Sequence, residues 1–292
     1  MASLRPIEEI YSIEKEHWVG SGFRVRNYFP EGRNLLERFS PFALLDYNAP
    51  FEIPPSASPR GIGPHPHRGI ETITLAFEGS VEHHDNQGNH GIIHPGDVQW
   101  MTAGKGIMHK EYHEKNFQLQ GGSFHMVQLW TSLPMRDKYT DPRYQEILKD
   151  DMGRVDLAEG AGNVTVISGS FRDTRGPAKT FSPINMYIVS LNRGGRLALN
   201  EPDTYNTGIL MISGSATVND ENCSHKDFIL FENAKGSIEI VSDKESAKLL
   251  VLSGEPLNEP ALAAGPFVMN TKEELRQAAQ DYRDGKFGTD KF

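Results

Sequence analysis

Two short segments of this sequence could bind a metal ion: His65-Pro66-His67 and His109-Lys110-Glu111. In each segment the two metal-capable side chains are two residues apart, so on a β-strand they would point to the same face of the sheet. On a helix they would diverge by about 200°, and Pro66 disfavours a helix interior. Two such strands side by side would gather three imidazoles and one carboxylate. That set suits a first-row divalent metal with coordination positions left for a substrate.

A second carboxylate competes with Glu111 for this role. Glu71 follows the first pair in the string His65-x-His67-x-x-x-Glu71. If the strand continues through Gly69, this carboxylate shares the face of the two histidines. The residues therefore leave two ligand sets open, the three histidines with Glu111 or the same histidines with Glu71.

The remaining histidines of this region have simpler interpretations. His125 lies on a predicted strand, and we expect it to face the core or to support the metal ligands from behind. The others flank predicted turns and are expected to be solvated loop residues: His83, His84, His90, His94 and His113. The sequence has no Gly-x-Ser-x-Gly element at a strand-to-helix turn. Its single cysteine, Cys223, excludes an intrachain disulfide framework and is typical of a reducing compartment.

The elements that must position these side chains are short strands. Between Gly61 and Pro134, and again after Asn163, apolar runs of four to eight residues alternate with turns rich in Gly, Asn and Pro. This spacing predicts an all-β barrel or sandwich in each half. The segment Asp141–Lys149 breaks the pattern: an N-cap residue, a proline at the first helical position and an apolar stripe predict a short helix that links the halves.

The end of the chain also has a helical pattern. Thr271 and Glu274 have the spacing of a capping box, an apolar stripe follows at i, i+3, i+4 and i+7, and Gly285 can end the helix. We therefore expect a C-terminal helix that packs on a barrel.

The two halves resemble each other as an internal repeat. Asp97–Gly106 aligns with Asp227–Gly236 at equal Asp-to-Gly spacing, and Phe77-Glu-Gly79 aligns with Ile212-Ser-Gly214. Counted from these anchors, the metal-capable residues His65, His67, His109 and Glu111 fall opposite Asn200, Pro202, Glu239 and Val241. The second half is therefore expected to be a copy of the barrel that lacks the ligands.

The bulk composition excludes several classes of function. The chain has 292 residues and a formal net charge of −9, with no cluster of Lys and Arg, which argues against direct binding of nucleic acid. The first twenty residues are charged and contain no apolar segment of signal-peptide length, and the longest apolar run, near Ala261–Met269, is too short to span a bilayer. We expect a cytoplasmic protein that does not enter the membrane.

The segments Gly61–Thr72 and Pro95–Glu111, with His-Pro-His in one and Gln-Trp-Met-Thr-Ala-Gly in the other, resemble the signature segments of the pirin family. The segments Ser40–Asp46 and Gly265–Asn270 also resemble pirins, so the similarity covers nearly the whole chain. This resemblance implies a bicupin: two antiparallel cupin-type β-barrels. With the predicted elements, the metal-binding barrel would occupy residues 1–135, a linker with its short helix 136–162, and a ligand-free barrel with the C-terminal helix 163–292.

The same resemblance implies a mononuclear iron, Fe²⁺, held by His65, His67, His109 and Glu111, and so favours Glu111 over Glu71 as the ligand. The donor set itself also accepts Mn, Co, Ni, Cu or Zn. Bacterial pirin-like proteins are associated with quercetin 2,3-dioxygenase activity, which implies a flavonol and O₂ as substrates. In that reaction Glu111, or Glu71 from behind the ligands, would take the hydroxyl proton of the flavonol.

Animal pirins are associated instead with transcriptional co-regulation through protein partners. The alternative function is therefore an iron-dependent, redox-sensing protein-binding module without turnover. An open, substrate-sized cleft over His109 would favour the enzyme, whereas a site plugged by side chains would favour the sensor.

Overall fold

In the computed structural model the protein is described at residues 3–242, 244–290 and 292. These residues form 26 β-strands and two α-helices, and every ladder between the strands is antiparallel. The all-β class expected from the short alternating strands is therefore confirmed. None of the helices in the described part of the chain is long and apolar enough to cross a membrane.

The strands, numbered along the chain, are β1 (Ile7–Tyr11), β2 (His17–Val19), β3 (Phe23–Phe29), β4 (Phe42–Ile53), β5 (Gly61–His67), β6 (Ile70–Glu78), β7 (Val81–Asp85), β8 (His90–Ile93), β9 (Val98–Thr102), β10 (Ile107–His113), β11 (Gly122–Ser132), β12 (Arg143–Ile147), β13 (Gly153–Asp156), β14 (Gly162–Ser168), β15 (Ser170–Phe171), β16 (Thr174–Arg175), β17 (Ile184–Leu191), β18 (Gly195–Leu199), β19 (Asn206–Ser213), β20 (Ser215–Val218), β21 (Glu221–Ser224), β22 (Phe228–Phe231), β23 (Ile238–Ser242), β24 (Ala247–Gly254), β25 (Leu262–Ala264) and β26 (Phe267–Met269). The helices are α1 (Lys115–Gln120) and α2 (Lys272–Arg283), and short 3₁₀ turns occupy Met135–Asp137, Lys149–Asp151 and Ala158–Gly160.

The chain divides into two compact units that each combine separate segments. The first unit comprises Glu14–Lys149 and Leu257–Phe292, and the second comprises Met1–Ile13 and Asp150–Pro256. This division differs from the expected linear boundaries at both ends of the chain. Strand β1 pairs with β22, and α2 packs with β25 and β26 and places Ala278 against Met108 of β10.

The first unit contains two sheets around a shared core. A seven-stranded sheet has the order β12-β9-β6-β11-β4-β3-β2, and a four-stranded sheet has the order β5-β10-β7-β8. The core cluster between them joins Phe23, Val25 and Met126 of the larger sheet to Val81 and Ile93 of the smaller one. Burial of these apolar faces, at roughly 25 cal/mol per Å², is the main force that holds the two sheets together.

The second unit repeats this topology. Its sheets have the orders β1-β22-β19-β24-β17-β14-β13 and β18-β23-β20-β21, so each strand has a counterpart at the same place in the first unit. The internal repeat expected from the sequence is therefore present in the fold.

The ladders correct the expected correspondence between the two halves. In the ladder between β18 and β23, Ile238 pairs with Leu199 and Ile240 pairs with Leu197, and all four side chains are buried. The residues expected opposite the ligands do not take these inward positions: Asn200 and Pro202 lie beyond the end of β18, Glu239 is exposed and Val241 is half-buried, so that expectation was wrong. The connection before β23 is longer than the one before β10, and a slip of one residue moves each side chain to the opposite face.

The inward-facing residues of β18 and β23 belong to the core. Leu197, Leu199 and Ile240 belong to the main hydrophobic cluster of the second unit, and Ser242 is fully buried. The second unit therefore fills with apolar side chains the space in which the first unit places histidines.

The helix predicted over Asp141–Lys149 is wrong. Arg143–Ile147 forms strand β12 at the edge of the seven-stranded sheet, where Tyr144 lies opposite Met101 of β9. A helix of this length is marginal by itself, and the free edge of β9 offers backbone partners for each residue of the segment. Tertiary pairing thus overrides the local pattern.

The C-terminal helix is confirmed, including its start. Thr271 Oγ1 accepts a hydrogen bond from the Glu274 amide at 3.1 Å, and Glu274 Oε2 accepts one from the Thr271 amide at 2.9 Å. Within the first unit, Asp281 of this helix forms a 2.7 Å ion pair with Arg68, the residue that directly follows the His-Pro-His segment. The helix is therefore anchored beside strand β5.

Candidate functional site

Three histidines meet where β5 and β10 pair. His65 lies directly opposite His109 in the ladder, and His67 lies one pair further along the same face. The ring centroid of His109 is 4.2 Å from that of His65 and 4.9 Å from that of His67. Strand β5 is an edge strand, which explains why it tolerates prolines that cannot donate to a ladder. Two i, i+2 strand segments thus bring three imidazoles together, as the sequence predicts.

The ring nitrogens of β5 are oriented by backbone carbonyls. His65 Nδ1 donates to the Gly63 carbonyl at 2.8 Å, and His67 Nδ1 donates to the Pro266 carbonyl at 3.2 Å. Because a carbonyl can only accept, each ring carries its proton on Nδ1 and presents the lone pair of Nε2. This is the tautomer that a metal ligand requires.

His109 is oriented by a residue that the sequence analysis missed. His109 Nδ1 lies 3.3 Å from Nδ1 of His83, and His83 Nε2 lies 3.3 Å from Asp85 Oδ2. Because the Asp85 carboxylate can only accept, His83 carries its proton on Nε2 and donates it in this hydrogen bond. His83 Nδ1 is therefore the acceptor, both for His109 Nδ1 and for Gln99 Nε2 at 3.2 Å. His109 Nε2 is then left as a buried nitrogen with no hydrogen-bond partner. A buried orphan nitrogen beside two other free Nε2 atoms fits a bound metal ion.

Burial also holds these rings in the neutral form. Desolvation lowers the pKa of His65, and it lowers the pKa of His67 and His109 well below the ordinary value, with the neighbouring histidines adding to the effect on the latter two. Neutral imidazole is the form that donates to a metal. The ligand atoms of these three residues lie within 4.8 Å of one another.

Glu111 lies beside His109, in a second group of metal-capable side chains that also contains His83. The ligand atom of Glu111 lies within 4.8 Å of those of His83 and His109, and the register between β10 and β5 shifts between His109 and Glu111, with the extra residue on β5 between Ile62 and His65. Oε1 accepts hydrogen bonds from Thr74 Oγ1 and Gln99 Nε2, each at 3.1 Å. These two bonds fix the carboxylate from the side of the seven-stranded sheet.

Glu71 has other partners. Its carboxylate accepts a 2.8 Å hydrogen bond from Thr102 Oγ1 and lies 3.6 Å from Nη2 of Arg143. Burial raises its pKa to about 7. Among the described residues, none of the groups of metal-capable side chains includes Glu71.

A cavity of about 390 Å³ reaches the histidines. His65, His67 and Glu111 line it together with several apolar side chains, among them Val25, Leu44, Ile62, Met126 and Trp130. The Trp130 ring packs against His67, with 4.9 Å between ring centroids. This volume lies in the range of small-molecule sites, roughly 300–1,000 Å³.

A row of five polar residues crosses the larger sheet, one from each of five adjacent strands. The register pairs Gln99 with Thr74, Thr74 with Gln128, Gln128 with Asp46, and Asp46 with Asn27. The last three also line the cavity. Burial raises the pKa of Asp46 to about 6, against the opposing 2.7 Å hydrogen bond from Asn27. We call these five residues the polar row. At one end Gln99 and Thr74 bond to Glu111, and the other three residues follow the cavity wall.

The remaining histidines divide into two kinds. His84, His90 and His94 are partly or fully exposed, as expected, whereas the expectation that His83 and His113 are solvated is wrong, since both are at most 1% exposed. Residues 81, 83 and 85 share one face of β7, a period-2 signal that could have revealed the inward position of His83. His125 is buried and contacts the Tyr47 hydroxyl at 2.9 Å, in agreement with a core position.

Comparison with known proteins agrees with this architecture. Residues 22–131 match the Pirin family model, and residues 186–288 match the Pirin C-terminal cupin domain. A Pseudomonas aeruginosa protein named for a proposed quercetin 2,3-dioxygenase activity is 44% identical, over 97% of this chain and 99% of its own length. Human pirin is 34% identical, over 94% of this chain and 92% of its own.

Among solved structures, quercetin 2,3-dioxygenase from Acinetobacter baumannii superposes with a TM-score of 0.94 at 41% identity, and the match covers 98% of this chain and 99% of that one. The two similar sheet pairs are thus cupin-type barrels, and the expected bicupin fold is confirmed. On the family models, the relatives and the fold together, this chain belongs to the pirin family.

Proposed function

We propose that this protein is a metal-dependent flavonol 2,3-dioxygenase, which opens the central ring of a quercetin-type flavonol with O₂. The observation that carries the proposal is the cavity, of about 390 Å³, whose lining combines aromatic and aliphatic side chains with His65, His67 and Glu111. A flat polyphenol needs apolar walls for its rings and a metal-binding end for its adjacent oxygens. The names of the relatives support the same class of substrate.

We assign Fe²⁺ to Nε2 of His65, His67 and His109 and to the carboxylate of Glu111. This donor set fits the ion because the hydrogen bonds of the three rings leave each Nε2 free and because neutral imidazole with a carboxylate suits non-haem iron. When bound, the metal supplies Lewis-acid and redox chemistry for the flavonol oxygens and O₂.

The protein's own groups would supply the proton transfer. Both hydrogen bonds to Glu111 go to Oε1, so Oε2 is the oxygen that would hold the metal and, once released from it, would accept the proton of the flavonol 3-hydroxyl. Glu71 is bound to Thr102 and lies beside Arg143, and it is not part of the cavity lining. We therefore assign the proton transfer to Glu111 and a structural role to Glu71.

The cavity walls would set the orientation of the substrate. The flavonol rings would pack on Trp130 and Met126, while the polar row would offer hydrogen-bond partners to hydroxyl groups remote from the metal. Gln128, Asp46 and Asn27 line the cavity from three adjacent strands, so this part of the row spans about 10 Å. It could therefore contact more than one hydroxyl group along a three-ring molecule.

The test is metal analysis combined with O₂ uptake. Purified protein loaded with Fe²⁺ should hold about one iron per chain and consume O₂ when quercetin is added. Protein that holds iron in this ratio but consumes no O₂ with any flavonol would refute the proposal. The cavity also favours turnover over a redox-sensing binding module, in which side chains would be expected to fill the space over the histidines.

A further inference from the structure

A second group of metal-capable side chains lies on the outer face of the β7–β8 hairpin. Glu82 and His84 alternate with the inward-facing His83 on β7, and His90 begins β8. Glu82, His84 and His90 have ligand atoms within 4.8 Å of one another. This peripheral cluster is separate from the histidines of the cavity, because neighbouring residues of a strand point to opposite faces.

In the peripheral cluster, both imidazoles point toward one oxygen of Glu82. Nε2 of His84 lies 2.9 Å from Glu82 Oε1, and Nε2 of His90 lies 3.0 Å from the same oxygen. The two rings stack, with 4.3 Å between centroids and 29° between planes. The antiparallel register places His84 directly opposite His90, so the backbone itself holds the pair together.

From this geometry we propose that Glu82, His84 and His90 form a peripheral binding site for a borderline divalent cation such as Zn²⁺, Ni²⁺ or Cu²⁺. Tetrahedral Zn²⁺ with bonds near 2.0–2.1 Å separates its ligand atoms by about 3.3 Å. The two nitrogen–oxygen distances, 2.9 and 3.0 Å, therefore need to lengthen by only a few tenths of an ångström. The side chains can do so, since those of Glu82, His84 and His90 are 24%, 31% and 50% exposed.

Without the cation, Nε2–H of each ring donates to Glu82 Oε1; binding requires each neutral imidazole to carry its proton on Nδ1 instead, so that the Nε2 lone pair faces the ion. The Glu82 carboxylate supplies the negative charge, and hydrogen bonds from the two rings lower its pKa against the effect of burial. Lys110 lies opposite His84 on the neighbouring strand β10, where its ammonium donates to the Phe292 carbonyl. The remaining coordination positions face the surface and would be taken by water.

Cation binding is expected to reduce the motion of the β7–β8 hairpin. A cation that joins β7 to β8 restrains the strand that also carries His83 and Asp85, which orient His109 from the opposite face. The peripheral site would thus stiffen the support of the central metal centre, and it does so whichever substrate the cavity takes.

The experiment compares Zn²⁺ binding by iron-loaded protein and three variants. In equilibrium dialysis, the wild-type protein should bind one equivalent of Zn²⁺ beyond its iron, and His84→Gln and His90→Gln should each weaken this binding at least tenfold. His94→Gln is the matched control, because His94 is an exposed histidine next to the same hairpin that hydrogen-bonds Ser80 and not the cluster. Its Zn²⁺ binding should equal that of the wild type.

Hydrogen exchange provides the second readout. Zn²⁺ should slow amide exchange in β7 and β8 of the wild type and of His94→Gln, and should leave exchange unchanged in His84→Gln and His90→Gln. Equal Zn²⁺ stoichiometry in all four proteins would overturn the proposal. So would a loss shared by the control, since the bound ion would then lie elsewhere on the surface.

Discussion

The Nδ1 atoms of His83 and His109 lie 3.3 Å apart, and Asp85 accepts a hydrogen bond from Nε2 on the other side of the His83 ring. The three residues form a buried chain of hydrogen bonds that ends at the one nitrogen of His109 with no partner. His109, which we propose as a metal ligand, is thus oriented by a histidine and a carboxylate on the neighbouring strand. Partners of this kind fix the tautomer and strengthen the ligand.

Replacing His83 should weaken metal binding although His83 is not assigned as a ligand. His83→Leu removes the acceptor that fixes the His109 ring, and we expect the affinity for Fe²⁺ to fall by about 10- to 100-fold. Competition against a chromophoric chelator would measure it. His125→Leu is the matched control, because His125 is also a buried histidine but bonds to Tyr47. An equal loss in both variants would mean that general destabilisation, and not ring orientation, is responsible.

Substitution of Glu111 and substitution of Glu71 should have different effects on metal content. Glu111→Gln keeps the hydrogen-bonding shape but loses the charge, so we expect at least a tenfold loss of iron affinity. Glu71→Gln should retain about one iron per chain, since Glu71 bonds to Thr102 outside the histidine cluster. Elemental analysis after dialysis decides between them, and the reverse pattern would assign the ligand to Glu71.

Glu71 should also make stability depend on pH. Its pKa is raised from 4.5 to about 7 in the folded protein, so the folded state holds a proton that the unfolded chain has released. The stability due to this group is therefore complete below pH 4.5 and declines as the pH rises to 7, by about 3 kcal/mol in total.

Glu71→Gln removes this titration. Urea unfolding at pH 4.5 and at pH 8 should show the variant gaining about 3 kcal/mol relative to the wild type at the higher pH. Other titrating groups affect both proteins equally and cancel in the difference. A difference that stays constant between the two pH values would contradict a raised pKa.

Lys138 should be important for stability. It is fully buried, and its ammonium donates 2.8 Å hydrogen bonds to the carbonyls of Gly69 and Val268 and to Ser132 Oγ. Lys138→Met removes this donor from all three acceptors, of which the Gly69 carbonyl keeps another bond, from the Leu133 amide at 3.1 Å, and we expect a loss of about 3 kcal/mol in the free energy of unfolding. Lys105→Met is the control, because the Lys105 side chain is 58% exposed and pairs with Asp141 on the surface. It should change stability by less than about 0.5 kcal/mol.

A bulky side chain placed in the cavity should lower catalysis without changing metal binding. Leu44 lines the cavity but is not among the metal-capable residues. Leu44→Trp should therefore leave iron content unchanged and lower kcat/KM for quercetin at least tenfold by steric exclusion. Leu148→Trp, at a position that is 42% exposed and outside the cavity, should behave as the wild type. Unchanged O₂ uptake in Leu44→Trp would show that the flavonol does not enter this cavity.

The sequence by itself determined much of this protein. The i, i+2 spacing in His65-Pro66-His67 and His109-Lys110-Glu111 predicted one shared face per strand, because side chains alternate strictly along a strand. The strand pattern predicted the all-β class, and the capping box at Thr271 predicted the start of the last helix. Each of these signals is local, so the physics that produces it is contained in a few neighbouring residues.

Only the tertiary structure decided the remainder. Arg143–Ile147 became a strand because the edge of β9 was available to pair with it, and this edge is distant in the sequence. Leu197 and Ile240, and not Asn200 and Glu239, face inward in the second unit because the ladder between β18 and β23 fixes which residues share a face. Counting along the sequence from distant anchors does not fix this. His83 turned inward to reach His109, and Glu71 bonded to Thr102 away from the histidines. In each case, pairing between segments far apart in the chain selected one face or one partner from options that the local sequence left equal.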